Sequence, residues 1–189
     1  YGLGRGGGAR LCHRHRGVGA DGVILLRKCE TEEAGWAWDF FNSDGTTADM
    51  CGNGARCFAR YIEKVADVNG GISFVTGCGV IRAQLNGDVV TVNLTDPTGL
   101  RLNEVVTLST GECQIHSLNT GVPHAVLFVD DADAAMVDSL GAEIRHHEHF
   151  APDGTNVNFV QILSHRHVRV RTYERGVGET LACGTGVSA

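Results

Sequence analysis

Phe41-Asn-Ser-Asp-Gly-Thr-Thr-Ala-Asp-Met-Cys-Gly-Asn-Gly-Ala-Arg-Cys57 passes from extended chain through a turn into a helix, with a cysteine at the join. Residues 36–41 read as a strand, and Asn42-Ser-Asp-Gly45 is a turn cluster. Phe58, Tyr61, Ile62 and Val65 fall at i, i+3, i+4 and i+7, which predicts a helix over 54–66. Cys51 therefore stands just before Gly52-Asn53-Gly54 at a helix start. The first N–H groups of a helix have no partner within it, and its dipole is positive there, so a thiolate is favoured. Glycines let those amides approach an anion such as a carboxylate. Taken alone, the site reads equally well as a cysteine that caps a helix.

The pattern occurs twice. Cys183-Gly184-Thr185-Gly186 repeats it at a separation of 183 − 51 = 132 positions, again after extended chain, and a helix is expected from 184. Two copies predict two similar halves meeting at a cleft, 1–117 and 118–189, with a boundary near 117–119. Strand signals dominate the rest, at 23–26, 72–76, 80–85, 89–94, 105–108, 114–118, 125–129, 158–163 and 168–173. Asn86-Gly87 marks a hairpin, and 131–140 reads as a short surface helix.

The chain has 189 residues, enough for one large domain or two small ones, and 42% of them are hydrophobic, enough for a real core. A net charge of −6 argues against a nucleic-acid binder. No apolar run reaches the roughly 20 residues needed to span a bilayer, and residues 1–10 are too glycine-rich for a signal peptide. Seven cysteines without framework spacing point to reduced thiols in a cytoplasm. Cys12, Cys29, Cys57, Cys78 and Cys113 are expected to be core or half-buried residues.

Two patterns are set aside. Gly17-Val-Gly-Ala-Asp-Gly22 has the glycine spacing of a dinucleotide loop, but a helix-like stretch precedes it and a strand follows, the reverse of what that loop needs. Gly2, Gly4 and Gly7 match with no strand before them. His13, His15, His146, His147, His149, His165 and His167 lack metal-ligand spacing and read as solvated side chains, so no metal is expected.

Two poised thiols suit one chemistry in particular. Inverting the α-carbon of an amino acid without a cofactor needs a base on one face and an acid on the other. The carbanion-like charge needs donors around the carboxylate, which helix N-termini supply.

The two cysteine segments, the second running Tyr173-Glu-Arg-Gly-Val-Gly-Glu-Thr-Leu-Ala-Cys-Gly-Thr-Gly186, resemble the signatures of the diaminopimelate epimerase family. Arg16-Gly-Val-Gly-Ala-Asp-Gly-Val-Ile-Leu-Leu26, Thr120-Gly-Val-Pro-His124 and Gly154-Thr-Asn-Val-Asn158 are similar to further family segments in the same order. The resemblance covers about residues 9–189. It implies an α+β fold of two halves, each a β-barrel-like sheet around a central helix, with the site between them. It implies pyridoxal-independent conversion of L,L-diaminopimelate to the meso form, for lysine and cell-wall peptide, with no cofactor. Cys51 and Cys183 become the acid–base pair, with Cys183 as acceptor and Cys51 as donor in that direction. Asn42, Gly52, Asn53, Asn156, Glu174, Arg175, Gly184 and Thr185 would contact substrate, and His124 and Glu174 would tune the thiols. The partner is then a small amino acid, and the resemblance admits a homodimer.

Plainer readings stand beside these. Asn42 suits a turn, Glu174-Arg175 an ion pair at a strand end, and His124 the start of a strand. Arg5 stands where the family has a substrate-binding asparagine, and Val122 where another precedes the Pro-His pair. The chain is expected to be a fragment lacking the usual N-terminal start and C-terminal segment. The alternatives are a related two-cysteine racemase acting on proline, hydroxyproline or histidine, and an inactive fragment. A thiol hydrolase using Cys51 with His124 would leave Cys183 idle.

Overall fold

A computed structural model describes residues 5–31, 33–68 and 70–189. The Tyr1-Gly-Leu-Gly4 start, with the first glycines of the Gly2/Gly4/Gly7 pattern, lies outside the described residues. The chain forms two compact units, Tyr1–Thr95 and Asp96–Ala189.

In the first unit a helix over Arg5–Cys12 (α1) is followed by strands Gly22–Lys28 (β1) and Trp36–Asn42 (β2), then helix Gly52–Ala66 (α2). Strands Gly71–Thr76 (β3), Gly79–Asn86 (β4) and Val89–Val92 (β5) complete a five-stranded sheet in the order β1-β2-β3-β4-β5. β2 and β3 are parallel and the other neighbours antiparallel. A parallel pair needs a crossover, and α2 provides it. Trp38, Phe58 and Phe74 form the aromatic centre under that helix, with Phe58 and Phe74 edge to face at 4.9 Å.

The second unit repeats the scheme. Strands Thr98–Leu108 (β6), Gly111–Asn119 (β7) and Pro123–Phe128 (β8) precede helix Val137–Arg145 (α3). Strands Asn156–Ser164 (β9), His167–Glu174 (β10) and Gly178–Thr180 (β11) follow, in a sheet ordered β11-β10-β9-β8-β7-β6. Here β8 and β9 are the parallel pair, and α3 is the crossover. Both sheets are mixed, so the fold is α+β with two halves. The units divide at Thr95/Asp96, earlier than the boundary expected near 117–119, because β6 pairs along β7 and draws its residues into the second sheet.

Alternation along the second sheet separates core from site. Ala125, Leu127, Val157 and Phe159 are buried against Val137 and Ile144 of α3, with Tyr173 packed beside them. Successive strand residues point to opposite faces. His124, Asn156, Asn158 and Thr172 therefore lie on the other face, yet all are buried.

Within each unit one helix makes a close contact of the same kind with the sheet. α1 packs on β1 and β2, and α3 on β9 and β10. In each a glycine lets the helix touch the residue before the strand end: a Cβ at Gly8 would stand 3.1 Å from the Phe41 Cβ, and one at Gly141 only 2.6 Å from the Tyr173 Cβ.

Several elements differ from expectation. In α2 the buried stripe is Ala55, Phe58, Ala59 and Ile62, while Tyr61 and Val65 are 53% and 49% exposed. The small alanines, rather than the larger apolar residues, let the helix approach the sheet. The helix expected at 131–140 begins at Val137, because the Asp131 carboxylate accepts from the Asp133 N–H at 2.9 Å and holds that stretch in a turn. The helix expected from 184 is a run of turns. Cys57 is exposed rather than in the core. Among the described residues no helix is long and apolar enough to cross a membrane.

Alanine is a better helix former than glycine by about 1 kcal/mol, but at Gly141 the new methyl would collide with a side-chain base that has no rotamer to escape into. Gly141→Ala should lose about 1–3 kcal/mol of unfolding free energy in urea titrations, and Gly8→Ala, with its looser contact, distinctly less. A Gly141→Ala protein as stable as the parent would contradict this packing.

Candidate active site

Each cysteine follows a strand end at the same distance: 51 − 42 = 9 from Asn42 at the end of β2, and 183 − 174 = 9 from Glu174 at the end of β10. Cys51 is the extended residue that caps α2, with φ −148° and ψ 115°. Its Sγ accepts from the Gly54 N–H at 3.3 Å, and its carbonyl accepts the first helical bond from Ala55 at 2.8 Å. An amide aimed at the sulfur stabilises negative charge there. At Cys183 the opening bond recurs, Val187 N–H to the Cys183 carbonyl at 3.1 Å.

The glycine three residues after each cysteine is held against the sheet. A Cβ on Gly54 would stand 3.0 Å from Ile24 Cδ1, and one on Gly186 would stand 2.4 Å from Asn158 Oδ1 and 3.2 Å from Cys183 Sγ. Ile24 and Asn158 hold equivalent places, since 24 − 22 = 2 from the start of β1 and 158 − 156 = 2 from the start of β9. At Gly186 this contact leaves no room for a side chain, while at Gly54 the neighbour is the movable end of Ile24.

Around Cys183, which is 7% exposed, the polar face of the sheet forms a continuous chain. Sγ lies 3.5 Å from Thr185 Oγ1, and that oxygen lies 2.9 Å from His124 Nε2. Asn158 Nδ2 reaches His124 Nδ1 at 3.1 Å and donates to the Ala125 carbonyl at 3.0 Å. The Thr172 hydroxyl donates to Asn158 Oδ1 at 2.9 Å, and the Thr120 hydroxyl to the Thr185 carbonyl at 2.9 Å. Burial, with the nearby charge of Arg175, lowers the pKa of His124 from 6.5 to about 4, so the ring is neutral at physiological pH.

The other residues singled out in the sequence fall into place around these turns. Gly52 and Asn53 are the first two residues of α2, and Arg56 bonds the Asn53 side chain. Asn156 accepts from the Arg175 N–H at 2.8 Å and donates to the Pro123 carbonyl at 3.1 Å, so it ties the strand start before His124 to the end of β10. Glu174 accepts from the Thr180 hydroxyl at 2.6 Å, and Arg175 donates to the Asp153 carbonyl at 3.1 Å. Asn42 donates to Thr46 Oγ1 at 3.0 Å across its turn, and His124 follows the first residue of β8, so the plainer readings of both also hold. Gly184 is half-buried in the turn after Cys183. Val122 is buried, with its carbonyl accepting from the Thr120 N–H at 3.1 Å.

Sequence reasoning gave no role to Asn158, Thr172 or Thr120. For Asn158 a signal existed: an amide between Val157 and Phe159 in an apolar strand must find partners or carry a desolvation cost. Thr172 and Thr120 carry no such mark.

Known proteins resemble this chain in sequence and in fold. The family model described as diaminopimelate epimerase matches residues 5–99 and 116–189. A diaminopimelate epimerase of Aquifex aeolicus is 48% identical over 183 residues, covering 95% of this chain and 65% of the relative. One from a Hydrogenobaculum species is 47% identical over 184 residues, covering 95% and 66%. The chain thus spans about two thirds of the length of these relatives. Among solved structures, a probable proline racemase from Agrobacterium radiobacter K84 superposes with a TM-score of 0.77 at 19% identity, covering 96% of this chain and 62% of the other. A hydroxyproline epimerase from Agrobacterium vitis gives 0.76 at 20%, again covering 96% and 62%, and both likenesses show a shared fold. With the family model matched on both sides of the unit boundary and both cysteine turns inside it, the chain belongs to the diaminopimelate epimerase family.

Proposed function

We propose that this chain epimerises L,L-2,6-diaminopimelate to the meso isomer without a cofactor, as an isomerase serving lysine and cell-wall peptide synthesis, with Cys51 and Cys183 as its acid–base pair. The observation that carries the reading is the repeated cysteine turn, one in each unit, set at the same offset from its sheet and closed by a glycine that touches the sheet. Family membership supplies the substrate.

In the L,L-to-meso direction the Cys183 thiolate takes the α-proton, and the Cys51 thiol delivers a proton to the opposite face of the same carbon. One C–H bond breaks and one forms, one S–H forms and one breaks, and no electron is gained or lost. The charge that develops on the substrate moves into its carboxylate, which the amides of Gly52, Asn53, Gly184 and Thr185 would hold. Asn42, Asn156, Glu174 and Arg175 supply polar contacts, of which the substrate needs many because its distal end carries both an ammonium and a carboxylate. Neutral His124 tunes the thiols together with Glu174. We place the reaction in the cytoplasm, where thiols stay reduced; light scattering of the purified protein decides whether it works as a homodimer.

Serine at either cysteine is a far poorer base than a thiolate. Cys51→Ser and Cys183→Ser should each lower epimerisation by about 100-fold or more, measured as solvent-tritium exchange on diaminopimelate beside proline, hydroxyproline and histidine. Elimination from a β-halogenated analogue needs only one base, so each variant should retain it for one epimer. Near-parental epimerisation by both variants would refute the two-thiol reading, and turnover of proline alone would redirect it to another amino acid.

His124 also makes stability depend on pH. The unfolded chain binds a proton near pH 6.5 and the folded chain near pH 4, so between them the unfolded state holds more protons. Stability contributed by the neutral ring is complete above pH 6.5 and is lost as pH falls toward 4, by about 3 kcal/mol at most. Urea unfolding at pH 7 and pH 4.5 should show a smaller difference in His124→Gln than in the parent; equal differences would mean that His124 is not held neutral.

A further inference from the structure

We infer that Asn158 is a positioning residue for Cys183: it fixes which nitrogen of His124 carries the proton, and so turns the Thr185 hydroxyl toward the sulfur. The inference rests on the reading of Cys183 as one of two acid–base thiols.

The argument is one of hydrogen-bond accounting. A carbonyl only accepts, so the bond to the Ala125 oxygen at 3.0 Å must come from the amide NH2 of Asn158, and its orientation is set. The Thr172 hydroxyl donating to Oδ1 at 2.9 Å agrees with that orientation. The second amide hydrogen then points at His124 Nδ1 at 3.1 Å. That nitrogen must present a lone pair, so a neutral ring carries its proton on Nε2. Nε2–H donates to Thr185 Oγ1 at 2.9 Å. A hydroxyl has one proton, and with this bond accepted, that proton is directed to Cys183 Sγ at 3.5 Å whenever the sulfur is a thiolate.

The opposite tautomer reverses every link. Nδ1–H would face an amide N–H, Nε2 would claim the Thr185 proton, and the hydroxyl would turn its lone pairs to the sulfur. His124 and Asn158 are 0% exposed and Thr185 is 3% exposed, so these links are closed to bulk water. The turn itself has no freedom to move away. The Thr120 hydroxyl holds the Thr185 carbonyl, and Gly186 rests directly against the Asn158 oxygen. Asn158 thus sets the electrostatics of the thiol and the seat of its loop without touching substrate.

The test uses the protein labelled with 15N at histidine, with long-range proton–nitrogen spectra reporting the His124 tautomer. The parent should be protonated on Nε2 and unprotonated on Nδ1. In Asn158→Asp the carboxylate only accepts, so Nδ1 should become protonated. That variant should lose about 10- to 100-fold in elimination from the β-halogenated epimer whose proton Cys183 takes, the worth of one hydrogen bond to a charged group. Elimination from the epimer served by Cys51 should be unchanged. Should Asn158→Asp fail to fold, the spectrum of the parent carries the test: a ring protonated on Nε2 supports the inference, and one protonated on Nδ1 rules it out. Equal slowing of both epimers, or a parent ring protonated on Nδ1, would overturn the inference. A parent that processes neither epimer would instead sink the functional reading, and the tautomer would still be decided by the spectrum.

Discussion

Gly186 has no side chain, and for that reason the turn after Cys183 can lie directly on the sheet, with Asn158 Oδ1 only 2.4 Å from where a Cβ would stand. That contact fixes the height of the turn above β9. It brings Thr185 Oγ1 within 2.9 Å of His124 Nε2, and the sulfur within 3.5 Å of the same hydroxyl. In the first unit Gly54 performs the same service against Ile24, and there the amide it exposes bonds the Cys51 sulfur directly at 3.3 Å. The same backbone geometry is therefore used with two different partners: an apolar strand residue in one unit and an amide in the other.

The difference has an electrostatic consequence. Ile24 offers only packing, so the sulfur of Cys51 is served by its own helix start. Asn158 offers packing and a directed hydrogen bond, so Cys183 is joined to a buried polar chain that runs through Thr185, His124, Asn158 and Thr172. Such a chain is costly when any member lacks a partner and specific when all are satisfied. Here each link has a defined donor and acceptor, while burial and the nearby charge of Arg175 keep His124 neutral. Asn156 extends the arrangement by tying Pro123 to Arg175, so the strand that carries His124 and the strand end that carries Glu174 are held at one spacing.

The sheets make this possible through their parallel pairs. In each unit one crossover helix covers the apolar face, α2 over Trp38 and Phe74 in the first and α3 over Val157 and Phe159 in the second. In the second unit α3 covers Ala125, Leu127, Val157 and Phe159, and the opposite face carries His124, Asn156 and Asn158 beside Val126 and Val160. A row of His124, Asn156, Asn158 and Thr172 is tolerable in a buried place only because the register between β8, β9 and β10 sets them beside one another.

Much of this was legible in the chain. Two Cys-Gly-x-Gly turns after extended segments marked both candidate thiols, and the alternation of β10 and the Asn-Gly hairpin marked the sheets, because these signals are local and depend on backbone conformation alone. The helix α2 was legible too, but its buried stripe was not: Tyr61 and Val65 fit the period, and only packing shows that Ala55 and Ala59 make the closer approach. Thr95/Asp96 became the boundary through pairing of β6 with β7, which no local signal encodes. Asn158 shows the division most clearly. The sequence by itself determined that an amide would sit in an apolar strand; only the tertiary structure, by bringing Ala125, His124, Thr172 and Gly186 around it, decided which way that amide points and hence where the proton of His124 resides.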